Sequence, residues 1–517
     1  MNLFNMSSDL RRVLDLWVVL TFFKLLLFHS YKSTDFEVHR NWMALTYELP
    51  LKDWYFEKTS IWTLDYPPFF AYFEYLLSLP AAYFDRDMVK VSNLYYSEKS
   101  VIFYQRATVI LSDLFFLYGC IKYFRVQGKT DMVRLVFSYA SAAFMILDNI
   151  HFQYNSMMYG LLLVSLAYIK EGSYFKSALV YAVLLNFKHI FLYFAPCFGI
   201  IYLKVAVFKH QSICRRLFSF IGLALQTIIV FGLSFGPFIY TGYQEGEKEG
   251  VIKQLAQIGS RLFPFTRGLV HHYWAANAWA GYVFYNKYLV NIYNYINNQS
   301  KELSCVFEVD QAHTLDEYKQ WTLIATLAFL LPLILSMFKH LNKQTFCFYL
   351  AATNFIVFNF GFHVHEKAIL MTVIPLTLDT HSHSTVWQKT RLLLLKTVAV
   401  WTLLPLLIDP KETLVKHMIL VIDTILTMKV YLKLEFGKSW VLKGIVTVVL
   451  GLICMIQVWQ VVYVQMIKHM HEGWMHRYQD MVPTVAMAVN QIIFLEMMYV
   501  GIVRPKSITQ EAKWKRD

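Results

Sequence analysis

Long apolar runs, separated by short loops that hold most of the lysine and arginine, recur from residue 11 to residue 503. A segment that stays apolar across a bilayer must pair its amides internally, so helices are the expected form. The composition agrees. Of 517 residues, 57% are hydrophobic and only 16% charged, and the mean hydropathy is +0.40. So little charge cannot solvate the surface of a soluble domain, and the chain is expected to be an all-α polytopic membrane protein.

Candidate spans fall near 11–29, 101–124, 133–150, 155–170, 174–187, 190–208, 217–240, 321–338, 345–362, 368–380, 391–408, 415–432, 440–463 and 484–503. These make about fourteen, several shorter than the roughly 20 residues of a perpendicular helix. Lys122, Arg125, Lys129 and Arg134 follow the second run; Lys204, Lys209, Arg215 and Arg216 follow the sixth; Lys339 and Lys343 follow the eighth. With a cytosolic N-terminus all of them share one side with the tail 504–517, as the positive-inside bias requires. The net charge of +13 needs no nucleic-acid partner to explain it. Segments 30–100 and 241–320 then lie on the opposite, luminal side. The first is aromatic and amphipathic, which suits helices lying in the interface. A true span over Pro67–Tyr83 would invert the later topology and put the basic loops on the wrong side. No internal repeat or soluble domain boundary is evident, so one membrane domain over 1–517 is expected. The first run reads as a retained anchor, and the six cysteines are scattered without metal or redox spacing.

With that topology the unusual polar clusters share the luminal face: Asp35–Arg40, Asp148–Asn155, Asn186–His189, Arg261–Gly268 and His363–Lys367. Ionisable groups at membrane depth are costly and mark functional sites by default. Each also has a plain structural reading. Asp35 would pair with Arg40 or cap a helix beginning near Phe36, and Asp65 before Tyr66-Pro67-Pro68 would form a turn. His151 to Asn155 would be a hydrogen-bonded loop, and Lys188 would snorkel to the interface. His363, His365 and Lys367 would face a helix C-terminus. His-x-His-Glu invites zinc, but no third ligand pattern accompanies it, and no metal or other cofactor is expected. Chemically, one carboxylate with several cations suits group transfer from a phosphate-linked lipid. The carboxylate takes a proton from an attacking hydroxyl, and the cations hold the departing phosphate. Aromatics such as Tyr66, Tyr154 and Trp279 can stack on sugar faces. No nucleotide-binding loop is present.

The blocks STDFEVHRNW, WTLDYPPFFAYFEYLLS, DNIHFQYNS, FKHIFLYFAP, SRLFPFTRGL and FHVHEKAIL occur in this order over about residues 30–375. Together they resemble the dolichyl-phosphate-glucose-dependent α-1,3-glucosyltransferases of the endoplasmic reticulum. The resemblance implies a GT-C type membrane fold and an inverting, metal-independent reaction at the luminal face of that membrane. It also implies dolichyl phosphate glucose as donor and a dolichyl-pyrophosphate-linked oligosaccharide as acceptor. Asp35 matches the family's catalytic aspartate. His365, Lys367, Arg261, Arg267, Lys188, His151, Asp65, Tyr66 and Arg40 are the candidates for donor phosphate or oligosaccharide binding.

Two homologous enzymes act in sequence in that family. Ser33-Thr34-Asp35-Phe36-Glu37-Val38-His39-Arg40, Lys188-His189 and Phe362-His363-Val364-His365 favour the one that adds the second glucose. Asn277-Ala278-Trp279 departs from an expected Asn-Phe-Trp and puts only a packing contact in doubt. The first enzyme of the pair stays open, as does a lipid-oligosaccharide transporter, although no inverted repeat supports the latter. Lys513 and Lys515 resemble a cytosolic dilysine retrieval signal, and Asn298-Gln299-Ser300 is a sequon in a luminal segment.

Overall fold

In a computed structural model the described residues are 8–126, 129–264, 268–271, 273–285, 314–437, 439–466 and 473–508. Most of them are helical, and the strands among them form one two-residue antiparallel ladder, Arg125–Val126 against Lys129–Thr130. The chain divides into two compact units, Met1–Phe265 and Thr266–Asp517.

The first unit opens with α1 (Ser8–Leu26), a short 3-10 turn at Leu27–His29, and α2 (Thr34–Glu48). The polar residues Ser30 to Ser33 interrupt the apolar run, and the axis bends there by 98°. Next comes α3 (Pro68–Phe84), whose start is set by Pro67 at the N-cap and Pro68 at the first helical position, where a missing N–H costs nothing. It carries buried Glu74 and Ser78 and, at 17 residues, is shorter than the helices long enough to cross a membrane. Then follow α4 (Lys99–Phe124), α5 (Met132–Tyr139), α6 (Ala142–Phe144) continuing into a π-helical turn at Met145–Ile150, and α7 (Asn155–Glu171). The unit ends with α8 (Tyr174–Phe187), α9 (Ala195–Tyr202) and α10 (Ile213–Leu262). The last helix kinks at Gly246 and Glu247 and runs on to Leu262, so the expected luminal segment beginning at 241 starts as helix.

Helices α4 and α7 approach closely, and glycines permit it. A methyl group on Gly160 would lie 2.5 Å from the Phe115 carbonyl oxygen; one on Gly119 would lie 2.6 Å from that of Gly160. Small residues let helix backbones meet in lipid, where apolar side chains gain little by leaving the bilayer. Gly160→Ala should therefore force the pair apart, at about 1–3 kcal/mol for overpacking. Thermal unfolding in detergent should show a lowered midpoint; an unchanged one would mean the contact is not tight.

The second unit contains helices at Ala278–Phe284, Leu315–His340, Phe346–Phe360, Leu370–Asp379, Val386–Leu403, Thr413–Leu426, Trp440–Met466 and Gly473–Met498. Capping boxes at Thr314/Glu317 and Thr385/Gln388 fix two of the starts. Two of its buried cations are ion-paired, Arg391 with Glu496 at 3.1 Å and Lys396 with Asp423 at 2.9 Å, and buried Lys416 donates to the Leu407 carbonyl at 3.1 Å, which offsets the cost of charge in an apolar bundle. Among the described residues, seven helices are long and apolar enough to cross a membrane, or up to eight if the bent pair of α1 and α2 is one span. The other expected spans are helical too, but shorter or more polar. Cys305, Asn298 and the tail lysines lie outside the described residues.

Candidate active site

Asp35 is the second residue of α2. The N-cap residue Ser33 makes no side-chain capping bond. Its hydroxyl instead donates to the carbonyl of His151 at 3.0 Å, tying the start of α2 to the segment between the π turn and α7. That segment supplies the partners of Asp35. Gln153 Nε2 donates to Asp35 Oδ2 at 2.6 Å, and His151 Nδ1 lies 3.7 Å from the same oxygen. The Tyr31 hydroxyl sits 2.5 Å from His151 Nε2. The Asp35 side chain keeps 26% of its surface open, so a substrate hydroxyl can reach it.

Behind this contact runs a chain of hydrogen bonds with one polarity. Lys188 Nζ donates to Asn155 Oδ1 at 2.7 Å, Asn155 Nδ2 donates to Gln153 Oε1 at 2.7 Å, and Gln153 donates to Asp35. An ammonium can only donate, so it fixes which end of each amide faces which neighbour. Every donor therefore points towards Asp35, which is held as an acceptor. Two further carboxylates serve as scaffold. Asp148 accepts from the Asn155 and Ser156 amides at 3.2 and 2.6 Å and closes the N-terminus of α7. Asp113 pairs with Lys24 and accepts from the Ser156 hydroxyl and Asn149 Nδ2. Phe152, between His151 and Gln153, sits at φ 63°. That left-handed conformation typically costs about 1–3 kcal/mol in a bulky residue and persists only where surrounding contacts enforce it.

The predicted residues separate on this geometry. Lys188 does not snorkel; it is buried, with its ammonium 5.0 Å from the Tyr66 ring centre. Tyr66 packs edge-on against Trp42 and Phe70, with ring centres 5.2 and 4.7 Å away. Burial first, then the charges of Asp65 and Asp35, holds its phenol well above the usual range, so it stays a hydrogen-bond donor. Asp65 is half-buried in the turn before α3. Arg40 is no partner of Asp35. Its fork grips both oxygens of Glu37 at 2.7 Å and the carbonyls of Met88 and Lys90 at 3.2 Å, and it is fully buried. Its placement is that of an anchor for α2, leaving no open surface for a phosphate. Arg261 donates to the Tyr55 carbonyl at 3.1 Å and to Thr63 Oγ1 at 2.9 Å, bracing the segment that leads to Asp65.

In the second unit the His363–Lys367 cluster meets residues far away in sequence. His365 bridges Trp274 through the backbone, and its ring centre is 4.1 Å from that of His271. His363, at φ 52°, contacts the Gly268 carbonyl oxygen through Nδ1 at 2.7 Å. The ligand atoms of His271, His365 and Glu366 lie within 4.8 Å of one another. His271 is thus the third group that the His-x-His-Glu spacing lacked. Ligands on one tetrahedral zinc stand only about 3.3 Å apart, so this arrangement is looser than a formed site. The Tyr273 amide donates to His271 Nδ1 at 3.3 Å. Lys367 is half-buried in the 3-10 turn Glu366–Ile369. Arg267 lies outside the described residues.

Sequence reasoning missed Tyr31, Arg106, Asp113, Lys24 and His271. For Lys24, Arg106 and Asp113 a signal was available, since each is an ionisable residue inside an apolar run.

The family model for the ALG6, ALG8 glycosyltransferase family matches residues 20–500. The chain belongs to this family. It is therefore a polytopic membrane glycosyltransferase, and the match runs well past residue 380, where the sequence blocks stop. A Drosophila melanogaster protein named "probable dolichyl pyrophosphate Glc1Man9GlcNAc2 alpha-1,3-glucosyltransferase" is 40% identical over 377 residues, 70% of each chain. Relatives bearing that name without "probable" include one from Bos taurus, 38% identical over 81% of this chain and 82% of its own. Another, from Arabidopsis thaliana, is 37% identical over the same shares.

Proposed function

We propose that this glycosyltransferase moves glucose from dolichyl phosphate β-D-glucose onto a monoglucosylated, dolichyl-pyrophosphate-linked oligomannose. The new bond is α-1,3, and the reaction takes place at the luminal face of the endoplasmic reticulum membrane. The names of relatives that share 37–40% of its residues over most of both chains carry the choice of acceptor. The Gln153 and His151 side chains beside Asp35 support the mechanism. Asp35 takes the proton of the acceptor hydroxyl as that oxygen attacks C1 of the glucose. The bond from C1 to the phosphate oxygen breaks on the opposite side, and dolichyl phosphate leaves with the electron pair. One displacement with one base inverts β to α. His365, Lys367 and Arg267 are proposed for donor phosphate or oligosaccharide binding, a task that suits cations and N–H donors. Lys188 and His151 are assigned to holding the base and its approach, and Tyr66 and Asp65 to the sugar. Family membership removes the support for a transporter.

Purified protein given dolichyl phosphate glucose and either the unglucosylated or the monoglucosylated acceptor should add one hexose to the monoglucosylated one, read by mass spectrometry. Hexose gained by the unglucosylated species instead would make this the first enzyme of the pair.

A further inference from the structure

Arg106 lies in α4 and is 2% exposed. Its guanidinium donates to backbone carbonyls of two separate segments. Nη2 donates to the carbonyls of Ser30 and Tyr31 at 3.0 and 3.1 Å. Nη1 donates to those of Asn149 and, at 3.4 Å, Ile150. Ser30 and Tyr31 follow the 3-10 turn after α1, while Asn149 and Ile150 end the π turn. Carbonyls at such ends lack partners within their own helix and carry the negative end of its dipole. A planar fork can serve two pairs of them at once; a lysine ammonium, donating from a single point, cannot.

These two segments lead directly to the catalytic groups. Tyr31 and Ser33 precede Asp35, and His151 and Gln153 follow Ile150. At their far ends the segments are joined by the bonds from Ser33 to His151 and from Gln153 to Asp35. The guanidinium also lies 4.1 Å from the Phe152 ring centre, and that ring packs 5.1 Å from Phe36, the neighbour of Asp35. We propose that Arg106 is the positioning residue of the active site, a clamp that sets the distance between the Asp35 segment and the His151–Gln153 segment. The proposal rests on the glucosyl-transfer reading above, since it assigns Arg106 a role in that reaction.

Two variants of the full-length protein in detergent test it, Arg106→Lys and Arg106→Gln. Hydrogen exchange should accelerate by roughly tenfold or more in both 30–36 and 147–156, with α8 unchanged, because a local clamp releases a local unit. With dolichyl phosphate glucose and the monoglucosylated acceptor, kcat should fall by about 10–100-fold, while both KM values stay within about threefold. Arg106→Lys should recover little, although it keeps the charge. Unchanged exchange in both segments, uniform loosening of the whole first unit, or a rise in KM with kcat intact would each overturn the clamp. The exchange measurement does not use glucose transfer. A wild-type protein that transfers none would therefore count against the reaction and leave the clamp to be decided by exchange.

Discussion

Asp35→Asn should fold, bind donor and lose turnover. The acceptor hydroxyl is a very weak acid, so its attack on C1 needs a base as the new bond forms, and a positioned base is worth about 10²–10⁴-fold. Asparagine keeps the size of aspartate and can still accept the bond from Gln153 through its carbonyl oxygen, so the surrounding network survives the change. Only the ability to take the proton is lost. Glu37 cannot substitute, because both its oxygens are engaged by Arg40. The decisive measurement is single-turnover glucose transfer with Asp35→Asn and Asp65→Asn in parallel. Near-normal turnover in the first and none in the second would move the base to Asp65.

Glu37→Ala should produce the largest loss of stability. Arg40 is fully buried, and Glu37 is its one carboxylate partner by ion pairing among the described residues. Removing one member of a buried pair strands the other charge, at a typical cost of about 3–5 kcal/mol. The loss should appear as a steep fall in unfolding temperature and should carry α2, and Asp35 with it, out of place. The double variant Glu37→Leu with Arg40→Met should be less destabilised than Glu37→Ala alone, because no charge is left unpaired. A fall in Glu37→Ala of no more than about 1 kcal/mol, the level of an exposed pair, would mean that the Glu37–Arg40 pair is solvated after all.

The same pair shows where reading the chain fell short. The sequence places Asp35, Glu37 and Arg40 in one short stretch, and either carboxylate is a reasonable partner for the arginine. On a helix, however, residues three apart share a face, whereas the geometry of the fork and the carbonyls of Met88 and Lys90 decide which carboxylate is gripped. His271 is a second case. It stands more than ninety residues from His365 in the sequence, and no local spacing connects them.

What the sequence determined by itself was the membrane class, the helical segments, the family and the identity of the candidate base. Apolar runs, basic loops and short motifs are local signals, and each has a local physical cause. The tertiary structure alone decided which polar groups face Asp35, that Lys188 bonds to Asn155 and Asn155 to Gln153, and that Arg40 and Arg106 donate to backbone carbonyls. A charged side chain buried in an apolar bundle must find whatever donors or acceptors the fold brings within reach, and those come from helices distant in the chain.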